Sequence, residues 1–130
     1  MALVCPYVGE VILLKYIVGK ENAGSPVLHL YSNELTPSDS TLIGNLTEVT
    51  VDNYAPITLT SANWTITSTG VSTAVYSEET FVFITNVSVW GYYVTDDSNQ
   101  LLWLEKFGSS AFVIPDGGGT ISITTKLTLS

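Results

Sequence analysis

His29 is the one histidine in the chain and Cys5 the one cysteine. A zinc or copper centre built on imidazole and thiolate needs several such ligands together, and these two stand alone and far apart. His29 therefore reads as a strand histidine facing solvent or a neighbour, and Cys5 as a small, half-buried apolar residue. A lone cysteine also excludes an intrachain disulfide. A Ser/His/Asp triad can be composed on paper, yet no Gly-x-Ser-x-Gly elbow presents a serine. Asp96-Asp97-Ser98-Asn99 could offer oxygens to calcium, but the spacing and distant Glu of an EF-hand are missing. The same residue types close hairpins. Pro115-Asp116-Gly117-Gly118-Gly119 lacks the Lys-Ser/Thr ending of a phosphate loop and reads as a strand-connecting turn. A glycosidase needs two carboxylates at a set separation; twelve acids can supply such a pair without meaning. The expectation is a non-enzymatic chain with no catalytic residue, metal or cofactor.

Composition points the same way. Charged residues make up 12% of the 130 and hydrophobic ones 45%, the reverse of a disordered chain. Ser and Thr fill about a quarter of the positions. A Thr-rich, charge-poor surface is inexpensive to bury against a neighbour, because few ions need desolvating. The net charge is −8 and arginine is absent, so no nucleic-acid partner is expected. Val11 to Val18 is apolar but short and interrupted by Lys15, too short for a membrane span. No basic region precedes an apolar segment at the start, so no secretory leader is expected. The sequons at Asn45, Asn63 and Asn86 accordingly read as unmodified.

The elements suit one domain over 1–130, with an N-terminal segment over 1–26. Residues 9–20 carry Glu10 early, Lys15 and Lys20 late and Gly19 near the end, which predicts a short buried helix. Val27 to Tyr31 predicts a strand, with Leu28 and Leu30 on one face and His29 and Tyr31 on the other. Asn33 to Gly44 reads as a long surface loop, and Leu46 to Val51 as a strand. Further strands are predicted at 57–59, 64–67, 74–76, 80–85, 89–95, 101–107, 111–114 and 120–129. Asp96 to Gln100 closes a hairpin between two of them. The last strand alternates strictly, with Ile121, Ile123, Thr125, Leu127 and Leu129 on one face. Many short strands with Gly, Pro and Asn turns predict an all-β fold: a single antiparallel β-sandwich, jelly-roll or immunoglobulin-like, with one short N-terminal helix.

Aromatic residues gather on two of these strands. A regular strand over 89–95 puts Trp90 and Tyr92 on one face and Tyr93 on the other, while Trp103, Glu105 and Phe107 share a face. One set fills the core; the other is free to form an exposed patch for a protein or a sugar ring. A carbohydrate-binding module is the reading of a different class.

The run Gly91-Tyr92-Tyr93-Val94-Thr95-Asp96, the run Leu101 to Phe107 and the ending Ile114 to Thr124 resemble small virion structural proteins of tailed bacteriophages. So do Gly9-Glu10-Val11, Leu28 to Asn33 and the pair Thr36-Pro37. The resemblance implies a capsid decoration or cement protein on the outer surface of the head. It also implies a homotrimer that binds the major capsid protein; the short, interrupted apolar run leaves no membrane partner expected. A tail, baseplate or fibre component is the neighbouring role. The contact residues expected are Ala2, Leu3, Val4, Tyr7, Thr36, Pro37, Trp90, Tyr92, Tyr93, Trp103 and Phe107.

Overall fold

The computed structural model describes residues 3–129. One helix, α1 (Tyr7–Ile17), precedes eleven strands: β1 (Val27–Tyr31), β2 (Ile57–Thr58), β3 (Trp64–Ser68), β4 (Ser72–Tyr76), β5 (Glu79–Phe83), β6 (Val87–Val89), β7 (Gly91–Thr95), β8 (Leu101–Lys106), β9 (Phe112–Ile114), β10 (Gly119–Ile123) and β11 (Lys126–Leu129). All pairings between them are antiparallel, which bears out the all-β fold with one short helix. The strands form one four-stranded sheet, ordered β2-β1-β7-β8, and three smaller ones, β10-β5, β11-β4-β3 and β6-β9.

Helix α1 starts two residues earlier than its sequence reading, because Pro6 already holds the extended geometry of an N-cap. It ends as predicted but is not buried: only its sheet-facing side is covered, and Tyr7, Val11, Leu14 and Ile17 stand exposed. Gly19 takes φ 77°, its N–H bonds the Tyr16 carbonyl at 3.2 Å, and the Lys20 N–H bonds that of Lys15 at 2.8 Å. This double closure is a Schellman motif, which favours glycine at the left-handed position. The inner face of α1 lies so close to β8 that a Cβ at Gly9 would run into the Leu102 carbonyl. Val4 bonds Leu104 in both directions, at 2.9 and 3.0 Å. The N-terminal segment thus covers part of the outer edge of β8, which would otherwise be open to a further strand.

The four-stranded sheet is buried on both faces, so β1, β7 and β8 show near-continuous burial instead of alternation. One face carries Leu28, Leu30, Tyr92, Val94 and Trp103 into the main core, where they meet Phe81, Phe83, Ile121 and Ile123. The other carries Tyr31, Tyr93 and Leu104 into a second cluster, covered by Leu35 and Ile43 of the long loop and by Leu46 just after it.

Three sequence readings are corrected. Residues 46–51 do not form a strand; Glu48 makes an isolated bridge to Tyr31, and a 3-10 turn at Ile43–Asn45 precedes it. The 89–95 strand is broken at Trp90, where the chain leaves the β6-β9 pair for the four-stranded sheet. Trp90 consequently packs with Tyr93, not with Tyr92. The 120–129 strand is broken at Thr124–Thr125, so β10 pairs with β5 and β11 with β4. Its inward alternation still holds through Ile121, Ile123, Thr125 and Leu127, and ends at Leu129, which is exposed.

Candidate interaction surface

His29 is buried and faces neither solvent nor a groove. Its ring stacks on Tyr93, with centroids 4.6 Å apart and planes 7° from parallel. Nδ1 donates to Glu48 Oε2 at 2.7 Å, and Nε2 meets Thr95 Oγ1 at 2.9 Å. The Tyr54 hydroxyl donates to the same Glu48 oxygen at 2.7 Å and accepts from the Leu30 N–H at 3.0 Å. Carboxylate, imidazole and hydroxyl follow the hydrogen-bond order of a hydrolase triad. Thr95, however, is 1% exposed, so a substrate carbonyl cannot reach its oxygen. The group instead stitches β1 and β7 to the irregular 46–51 segment and satisfies the buried polar atoms it contains. Sequence reasoning missed it because Glu48 and Thr95 lie 19 and 66 residues from His29.

Asp96 is likewise taken up in structure. Its Oδ1 accepts the N–H groups of Ser98 and Gln100, at 3.0 and 2.8 Å. Its Oδ2 accepts the Gln100 side-chain amide at 2.7 Å and the Tyr16 hydroxyl at 2.6 Å. Burial pushes the carboxyl up, but these donors outweigh it and hold Asp96 below its ordinary value. The hairpin closes with Asn99 at φ 62°, and the Tyr16 bond clamps it to α1. Among the described residues no three His, Cys, Asp or Glu side chains gather to hold a metal ion. The glycine-rich turn has Gly117 at φ 92° and Gly118 at φ 94°. A Cβ at Gly118 would strike the Phe83 carbonyl, so this glycine lets the turn close onto β5. Cys5 is half-buried, its thiol donating to the Leu102 carbonyl at 3.3 Å. Burial is the main cause that pushes this thiol up, with Glu10 adding to it, so it is a poor nucleophile.

The expected contact residues divide sharply. Tyr92 and Trp103 lie in the main core, with Phe107 packed against it, and Tyr93 lies in the second cluster. Trp90 is half-buried beneath Lys106, whose ammonium stands 5.2 Å over the indole and donates to Thr36 Oγ1 at 3.1 Å. The structure thus brings Thr36 and Trp90 together through a lysine the sequence had not singled out. Pro37, Leu3 and Val4 are half-buried. Ala2 lies outside the described residues. Tyr7 is 61% exposed, and its N–H bonds the Asp39 carbonyl at 2.9 Å, so the start of α1 and the long loop form one surface.

That surface is apolar to an unusual degree. Tyr7, Val11, Leu14, Ile17 and Val18 all stand exposed along α1, Leu14 at 63% and Ile17 at 83%. Leu42 stands exposed beside them. Between α1 and the Leu42 turn runs a groove of ≈ 850 Å³, floored by Ile12 and Leu101. Only isolated apolar residues are ordinarily left in water, and a contiguous stripe marks an interaction site. No family model, curated protein or solved structure matches the chain. The outer face of α1 is therefore the strongest functional feature that the geometry provides. No helix among the described residues is long and apolar enough to cross a membrane.

Proposed function

We propose that this chain is a structural protein of a bacteriophage virion, a capsid decoration or cement protein that binds the major capsid protein and itself. The exposed apolar face of α1 carries the reading: on a charge-poor acidic domain it is the surface best suited to be covered by protein. The sequence resemblance supplies the setting, the outer surface of the head. The chemistry needed is contact repeated over many copies. A protein that binds the assembled state and not its parts stabilises the assembly by mass action, and several weak patches held together gain by multivalency. The burial of Tyr92, Tyr93 and Trp103 takes these three rings out of any sugar-stacking platform, which weighs against a sugar-binding module.

The test is to add the purified protein to expanded, undecorated phage heads and follow co-sedimentation and heat release of the packaged DNA. Saturable binding and a higher release temperature are expected. Absence of binding to heads, with labelling of the tail instead, overturns the cement role in favour of a tail component. Retention on polysaccharide would point to the module.

A further inference from the structure

We infer that α1 packs against α1 of a second copy of this chain, side by side and in the same direction, around a rotation axis along the helix. The inference rests on the reading of the protein as one that works by contact, and it names the partner and the residues.

The helix advances about 100° per residue. On that wheel Gly9, Ile12 and Tyr16 point toward the sheet, and Tyr7, Val11, Leu14 and Val18 form a stripe on the opposite side. The burial agrees: Gly9 and Ile12 are buried, Tyr16 half-buried, and the four stripe residues exposed. The stripe has the 4-3-4 spacing of a coiled-coil seam, with Tyr7 and Leu14 at one set of core positions and Val11 and Val18 at the other. No cover lies over it among the described residues.

The charges beside the seam decide the occupant and its direction. Glu10 flanks one side of the stripe and Lys15 the other, five residues further on. Two parallel helices related by a rotation axis bring the left flank of one against the right flank of the other, offset by five residues. Each Glu10 then faces the Lys15 of its neighbour, and symmetry repeats the pair. An antiparallel pair brings like flanks together and leaves both charges without an opposite. The dyad-related or threefold copy thus matches in the spacing of its apolar stripe and in charge. Lys15 also holds Glu21 of its own chain at 3.3 Å; that pair is exposed and weak, and an ammonium has donors for both.

The experiment is light scattering on the full chain across a concentration series, with four variants. The wild type is expected at two or three times the 14.0 kDa of the chain. Leu14→Glu is expected at the mass of one chain, with an unchanged near-ultraviolet circular dichroism spectrum because its side chain supports no core. Glu10→Lys weakens association and the double change Glu10→Lys with Lys15→Glu restores it. In a Cys5→Ser background, Leu14→Cys is expected to cross-link copies through a disulfide on air oxidation, with dioxygen accepting the two electrons, because an in-register parallel seam sets the two positions side by side. A wild type that stays monomeric, or a double change that fails to restore association, overturns the inference. So does an associating protein without that disulfide. A monomer that still binds heads removes the helix pairing and leaves the cement role standing. An oligomer that ignores heads does the reverse.

Discussion

Raising the pH past about 10 is expected to unfold this protein in one cooperative step. Tyr31, Tyr92 and Tyr93 are almost wholly buried, and burial is the first cause that pushes each hydroxyl well above its ordinary value. Nearby carboxylates add to the effect, Glu105 for Tyr31 and Tyr92, and Glu48 for Tyr93. Tyr54 is raised in the same direction by burial and by Glu48. A group whose pKa is higher when folded keeps its full stabilising contribution below the unfolded value and loses it as the pH climbs toward the folded one. Each such tyrosine costs about 1.4 kcal/mol per pH unit in that window, so the three buried ones together cost roughly 4 kcal/mol per unit. Against a domain stability of roughly 5–15 kcal/mol, the midpoint falls at pH ~11 or above, the lower end of that range being exhausted within about one pH unit and the upper end only after about four. Tyrosinate absorbance and far-ultraviolet circular dichroism, recorded on the same samples, are expected to change together. Gradual ionisation centred near the ordinary tyrosine value, with the sheet signal retained, would show that these hydroxyls are not held in the core.

The second large effect belongs to Trp103. Its indole is 3% exposed, meets Trp64 edge-on at 6.4 Å and points its N–H at Thr125 Oγ1, 3.4 Å away. It joins the four-stranded sheet to the β11-β4-β3 sheet across the main core. Trp103→Ala leaves a cavity that neighbours close only in part, at a cost of roughly 3–5 kcal/mol. For a domain of this size the thermal midpoint is expected to fall by about 10–20 °C. Leu14→Ala, on the outer face of α1, is expected to change the stability of the free chain by no more than ~0.5 kcal/mol. Thermal unfolding followed by circular dichroism, at a concentration low enough to keep the chain monomeric, checks the contrast. Equal losses would mean that Leu14 is not the solvent-facing side chain described above, or that Trp103 is not a core residue.

The sequence was most legible where local chemistry acts alone. Gly19 announced the end of α1, and Asp96 to Gln100 announced the β7-β8 hairpin, because left-handed turns and side-chain caps are decided within a few residues. Long-range geometry was not legible. Nothing at Thr124 or Trp90 marks a strand that changes partners: alternation fixes which way a side chain points and says nothing about which strand bonds it. Residues 46–51 alternate like a strand, yet Thr47, Glu48 and Val49 lie against the end of β1 without forming a strand of their own. The burial of His29 depended on Glu48 and Thr95, which only the fold gathers. The candidate surface was half legible. Tyr7, Val11, Leu14 and Val18 are spaced as a seam in the sequence itself. Because α1 is apolar on nearly every side, no face could be named as outer until β8 was seen to claim Gly9.

The proposed role stands or falls on the outer face of α1 as the place where this protein meets its assembly. Hydroxyl-radical footprinting of the free chain and of the chain bound to heads, read by mass spectrometry, tests it most directly. Tyr7, Leu14 and Ile17 are expected to be modified readily in the free chain at low concentration and protected in the bound one. Phe112, which is exposed on β9 away from the helix, is expected to react in both. Protection of Phe112 and its surroundings, with Tyr7, Leu14 and Ile17 modified equally in both states, would contradict the claim.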